Sequence, residues 1–144
     1  MSLSTPNTQA AYAALILRVS LGVMVLAHGA MKVFLFTLPG TAQYFESIGL
    51  PGFLAYPVAL GELFGGIALI VGFQTRAVAV LLIPILIGAT LQHAGNGWVF
   101  SAQGGGWEFP AFWTVTLVVQ ALLGSGAYAI RLPFLPEIGE PRTA

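Results

Sequence analysis

The chain has 144 residues, of which 57% are hydrophobic and only 7% charged, with equal numbers of basic and acidic side chains and a mean hydropathy of +0.88. A soluble domain carries roughly 25% charged residues, and a disordered chain is poor in apolar ones, so both classes are excluded. Zero net charge removes the electrostatic case for nucleic acid binding, and with no cysteine these residues form no disulfide, thiolate metal site or redox dithiol.

The first ten residues read as an exposed tail. No Lys or Arg precedes the first apolar run, which continues past Lys32, so it is read as a retained helix and not as a cleaved leader. The expected architecture is all-α, a single membrane-embedded four-helix bundle over 11–131 with spans of about 11–36, 53–73, 77–91 and 109–130. Thr37-Leu38-Pro39-Gly40 is a stop signal after the first span. The stretch 41–51, with Gln43, Glu46 and Ser47, is too polar to cross and predicts a short interfacial helix or a re-entrant loop. Span two has one charge, Glu62, between Gly61 and Gly65, a spacing of small residues that lets membrane helices approach closely. Pro84 predicts a kink in span three, and span four is uncharged. Arg131 and a Pro-rich tail over 132–144 follow. Four spans place both termini on one side together with Arg76, Arg131 and Arg142, which predicts cytoplasmic termini. Leu26-Ala27-His28-Gly29 and Leu91-Gln92-His93-Ala94-Gly95 echo one another at the far ends of spans one and three, as two duplicated hairpins would.

Four pieces in order carry a family resemblance: Leu17-Arg18 with His28-Gly29-Ala30-Met31-Lys32; Gly61-Glu62-Leu63-Phe64-Gly65-Gly66 with Gly72-Phe73-Gln74-Thr75-Arg76; His93; and Gly106-Trp107-Glu108-Phe109-Pro110. On these the chain resembles the DoxX family. The resemblance implies a four-helix inner-membrane protein associated with redox chemistry, whose relatives reduce quinones or anchor thiol and superoxide defence complexes.

Charges inside a bilayer face a partner or a polar cavity. Counting turns from the expected span ends puts Arg18 and Glu62 at similar depth, which predicts a buried ion pair that fixes the register of two helices. His28, Lys32, His93 and Glu108 fall toward the opposite mouth. An imidazole exchanges protons near neutral pH, an ammonium stabilises a developing oxyanion and a carboxylate completes a proton path, so these four are the catalytic candidates. Their chemistry suits a quinone or similar oxygen-bearing ligand, its ring against Trp107, Phe34 or Phe64. For Lys32 alone the competing reading is snorkelling to the headgroups, and for the histidines a bond to a loop carbonyl. Trp98 and Trp113 read as interface and core packing. His28, His93 and Glu108 form a metal-competent ligand type but no spacing motif, and no metal is assigned.

The leading expectation is a redox-associated inner-membrane protein that binds a quinone and works with a partner oxidoreductase, since the chain has no electron carrier of its own. A non-catalytic scaffold docking a soluble enzyme, or a proton-coupled permease using Glu62 and His28, stay open beside it. Glycine-rich faces on spans two and four are compatible with a homo-oligomer.

Overall fold

The computed structural model describes residues 8–139; residues 1–7 and 140–144 of the expected tails, Arg142 among them, lie outside the described residues. Helix α1 is Thr8–Ala30 and runs into a π-helical turn, Met31–Leu35. A short α2, Leu38–Ser47, and a 3-10 turn, Gly52–Leu54, lead into α3, Ala55–Val71. Then come α4, Thr75–His93, a 3-10 turn, Ala94–Asn96, and α5, Glu108–Leu123. No strand occurs among the described residues; an isolated bridge joins Leu132 and Leu135.

The fold is an all-α membrane helical bundle. Thr8–Leu35, Gly52–Val71 and Thr75–Asn96 are long and apolar enough to cross a bilayer, and α5 is a shorter apolar helix. Helices are the form such sequences must take in lipid, where each backbone polar group needs an internal partner. Their buried positions recur at three- and four-residue steps: Ala55, Ala59, Glu62, Gly66 and Leu69 on α3, and Pro110, Trp113, Leu117 and Gln120 on α5. That period draws helices into shallow crossings with a narrow shared seam. The remaining faces carry large exposed apolar side chains, among them Ile16, Phe64, Leu81 and Leu122, as befits a surface solvated by lipid.

Helix α1 packs mainly against α3, and α4 against α5, with lighter α3–α4 and α1–α5 contacts closing the ring. Glycine sets the α1–α3 seam. A Cβ at Gly66 would stand 2.6 Å from the Leu26 nitrogen, one at Gly22 2.8 Å from the Gly66 oxygen, and one at Gly29 2.8 Å from the Leu63 nitrogen. The helices are therefore in backbone contact, antiparallel, with Gly29 level with Glu62 and Arg18 level with Gly72.

This register overturns the expected Arg18–Glu62 ion pair. Glu62 is level with a residue eleven positions from Arg18 along α1, about 16 Å away. The depth count assumed flush helix ends, whereas α1 overhangs the end of α3 by more than two turns. Residues 125–130 fill the overhang: Ala127 donates its N–H to the Ala11 carbonyl at 3.0 Å and Ile130 to Val71 at 3.1 Å. Fully buried Arg18 instead donates to Leu69 O (3.0 Å), Ile70 O (2.8 Å) and Ala127 O (2.9 Å). Its guanidinium caps the last carbonyls of α3, at the negative end of that helix's dipole. Arg76 does the same for α5, donating to Ala121 O at 2.8 Å and Leu122 O at 3.0 Å.

The fourth span also ends earlier than expected. Helix α5 stops at Leu123, where Gly124 takes φ +82°, and its 16 residues rise about 24 Å against a hydrocarbon core of about 30 Å. Pro39, read as part of a stop signal, lies in the first turn of α2, where its missing N–H costs nothing; the break falls at Thr37. Helix α4 runs unbroken through Pro84.

Two outcomes are expected from thermal unfolding in detergent. Gly66→Val separates α1 from α3 and lowers stability by about 1–3 kcal/mol or more. Arg18→Leu and Glu62→Leu each destabilise, and in the double variant their effects add to within about 0.5 kcal/mol, as for residues without a shared contact.

Candidate functional site

The end of the bundle opposite the arginine caps brings together His28, Lys32, Glu62 and His93. Lys32, the chain's only lysine, sits in the π turn, where Phe36 donates its N–H five residues back to Met31 at 2.9 Å. Such wide turns are rare and concentrate at functional sites. The Thr41 hydroxyl, bonded to Lys32 O at 3.1 Å and Thr37 O at 2.9 Å, ties α2 back onto this turn. Thr37 holds φ +62° at the corner, a region that β-branched residues rarely enter, and its side chain accepts from Gly40 N at 3.2 Å.

From this turn Lys32 reaches across to Glu62 at 2.6 Å, with the two side chains 20% and 7% exposed. The charge-assisted bond satisfies the one acid of α3, and it replaces the predicted arginine partner. The glycine register makes it possible: Gly29 is level with Glu62, and Lys32 lies three residues further on, in the π turn that continues α1. A long flexible ammonium covers that remainder.

His28, one turn before Lys32, donates Nδ1–H to its own helix at Met24 O, 2.9 Å, and meets the ring of Trp113 edge-on at a centroid distance of 4.8 Å. His93 Nδ1 lies 3.0 Å from Gly104 O and 3.1 Å from Gly105 O, the two carbonyls that also accept from Asn96 Nδ2 at 2.9 Å each. A carbonyl accepts only, so in both histidines Nδ1 carries the proton. Among the described residues no hydrogen bond reaches either Nε2, which leaves each ring a free acceptor nitrogen when neutral.

These groups share one cavity of about 470 Å³, within the range that holds small ligands. His28, Lys32, Glu62, Gln92 and His93 make its polar wall. Tyr44 and Phe45 of α2, with Ile48 just after it, roof it, and Phe109, Pro110 and Trp113 of α5 close the far side. Trp113 is 5% exposed, and its indole N–H has no partner among the described residues; an orphaned buried donor costs about 1–3 kcal/mol.

The other expected site residues lie elsewhere. Glu108 accepts the Phe100 N–H at 2.9 Å, and Trp107 packs against Trp98 at 4.6 Å, so both shape the loop between α4 and α5. Phe34 and Phe64, at 80% and 67% exposed, point away from the bundle and do not line the cavity. Among the described residues no three His, Asp or Glu side chains come together as a metal site, so His28, His93 and Glu108 do not form the set their chemistry allowed. Sequence reading missed Trp113, Gln92 and Tyr44. The signal was present for two of them: Gln92 adjoins His93, and Trp113 falls three residues after Pro110, on the buried stripe of α5.

The DoxX family model matches residues 13–95, more than half of the chain. The chain belongs to the DoxX family. The matched DoxX segment holds the whole polar wall of the cavity, while α5 with Trp113 lies beyond it. Over 77 residues the chain is 46% identical to a Bacillus subtilis protein named "Putative oxidoreductase CatD", covering 54% of this chain and 56% of that relative, little more than half its length. Over 126 residues it is 31% identical to the Escherichia coli "Inner membrane protein YqjF", covering 81% of this chain and 87% of that protein. No solved structure matches the chain.

Removing one partner of a semi-buried ion pair strands the other charge. Lys32→Met and Glu62→Leu are each expected to lower stability by about 3–5 kcal/mol. The double variant recovers most of the loss, read as a coupling energy from unfolding in detergent.

Proposed function

We propose that this DoxX protein is a redox-associated inner-membrane protein that holds a quinone, or a ligand with the same carbonyl-bearing ring, in the cavity between α1, α3, α4 and α5. Electrons come from a partner oxidoreductase, because the chain has no thiol of its own. One observation carries the reading: one largely apolar cavity contains an ammonium–carboxylate pair and two imidazoles whose Nε2 atoms have no partner among the described residues. The name of the Bacillus relative supports it. By the distribution of Arg76 and Arg131 the termini face the cytoplasm, and the cavity mouth faces the other side.

The residues fit such a ring. The Lys32 ammonium offers donors to a carbonyl oxygen, and Glu62 holds that ammonium in place. Trp113 brings a donor that lacks an acceptor. His28, anchored through Nδ1, presents Nε2 for proton uptake or release, and Trp113 fixes its ring plane. Tyr44 and Phe45 above, with Phe109 and Pro110 beside, exclude water from the ring. A bound quinone would supply the capacity to accept electrons together with protons.

Mass spectrometry of protein purified gently from its own membrane is expected to find a stoichiometric quinone. His28→Ala and Lys32→Arg are expected to lose it by about tenfold or more in occupancy, the loss of one good charge-assisted contact, while unfolding of the His28 variant stays close to the parent. Full retention in both variants would reject the site.

A further inference from the structure

The cavity is open on one flank. At the arginine end α3 and α4 are held together: a Cβ at Gly65 would lie 3.1 Å from the Leu82 side chain, and one at Gly61 would lie 3.7 Å from Ile85 Cδ1. Beyond Ile85 the facing residues, Leu54 in the turn before α3 and Val58 on α3 with Gly88 and Ala89 on α4, line the cavity. The seam thus closes as far as Ile85 and opens past it, and Pro84 sits in the turn where it opens. Pro84 and Gly88 are exposed on the bundle surface and also line the cavity. At about 100° per residue they fall within the lipid-facing arc that runs from Ile87 through Leu91 to Leu81, on the side of that arc next to the cavity-facing Ile85 and Ala89. A Cβ built at Gly88 meets no atom within 4 Å. The rim of this gap carries no charge, so nothing there requires water.

We propose that the cavity loads sideways from the bilayer, through the cleft between α3 and α4, and takes a membrane-dissolved amphiphile whose apolar tail stays in the cleft at Gly88 while its oxygen-bearing head reaches Lys32, Glu62 and His28. This rests on the reading of the cavity as a ligand site and specifies both ligand class and route. A polar ligand arriving from water has no need of an apolar slot at the level of Gly88. A tailed ligand needs one, because withdrawing its whole tail from lipid into a cavity of about 470 Å³ is not possible for a long chain.

The absence of cysteine gives a clean background for thiol probes. Gly88→Cys and, as a mouth control, Gly95→Cys are reconstituted in phosphatidylcholine vesicles and exposed to a lipid-soluble maleimide or to a charged, membrane-impermeant one. The Gly88→Cys variant is expected to react at least about tenfold faster with the lipid-soluble reagent, since the charged one is excluded from hydrocarbon; Gly95→Cys reacts with both. A fully substituted benzoquinone with a decyl tail is expected to protect the Gly88→Cys thiol, and the same ring with methyl in place of decyl is not. Equal labelling of Gly88→Cys by the impermeant reagent would overturn the lateral route. Equal protection by the two rings would overturn the placement of the tail. If neither ring binds, measured separately by equilibrium dialysis in detergent, the quinone reading fails, and the labelling ratio by itself upholds or overturns the route.

Discussion

Backbone contact between α1 and α3 is the constraint from which the rest follows. Gly22, Gly29 and Gly66 leave no room for a side chain between the two helices, so they cannot slide past one another without collision. That fixed register decides which charges meet. It lays Arg18 against the last carbonyls of α3, and it places Lys32 within reach of Glu62. A shift of one turn would strand all three groups in a medium that offers no alternative partner.

The arginine end shows how the chain satisfies backbone as well as side chains. Arg18 and Arg76 each stand on the first helix of a packed pair and donate to the final carbonyls of the second, with Gly72 and Gly124, both at positive φ, directly beside the guanidinium. The repetition supports a two-hairpin plan. The register of the repeat differs from the histidine echo: the arginines are 58 residues apart (76 − 18), the histidines 65 (93 − 28). Seven residues are about two helical turns, so both comparisons keep the same faces while the hairpins differ in length. Gln74, which accepts from Ile138 N and donates to Pro136 O, binds residues 136–138 across this end.

The opposite end is built from what the packing leaves over. Helices α1 and α3 are pinned together, α4 and α5 pack closely, and α3 and α4 converge only toward the arginine end. The space that remains is roofed by α2, whose position depends on the π turn and the left-handed Thr37 corner. Strain of about 1–3 kcal/mol at such a corner persists only where the surroundings hold it, and here the Thr41 hydroxyl does so. The ion pair therefore serves as a structural tie and as the polar wall of a ligand-sized cavity.

The sequence by itself determined the class and the inventory. Composition forced helices in lipid, hydropathy and turn residues placed them to within a few positions except at the end of α5, and the scarcity of charge singled out Arg18, His28, Lys32, Glu62 and His93. Local spacing sufficed for these because helix formation in a membrane is dictated by the chain's own backbone. Only the tertiary structure decided the pairing. Whether Glu62 meets Arg18 or Lys32 depends on an overhang of α1 past α3, which the glycine contacts between the two helices set and which residues 125–130, far away in sequence, fill. The same holds for the ring partners: Phe34 and Phe64 match the chemistry, but helix rotation turns them to the lipid. Trp113, which looked like ordinary packing, faces His28. Depth can be counted along one chain segment, whereas register and rotation arise from contacts between segments that the linear pattern does not contain.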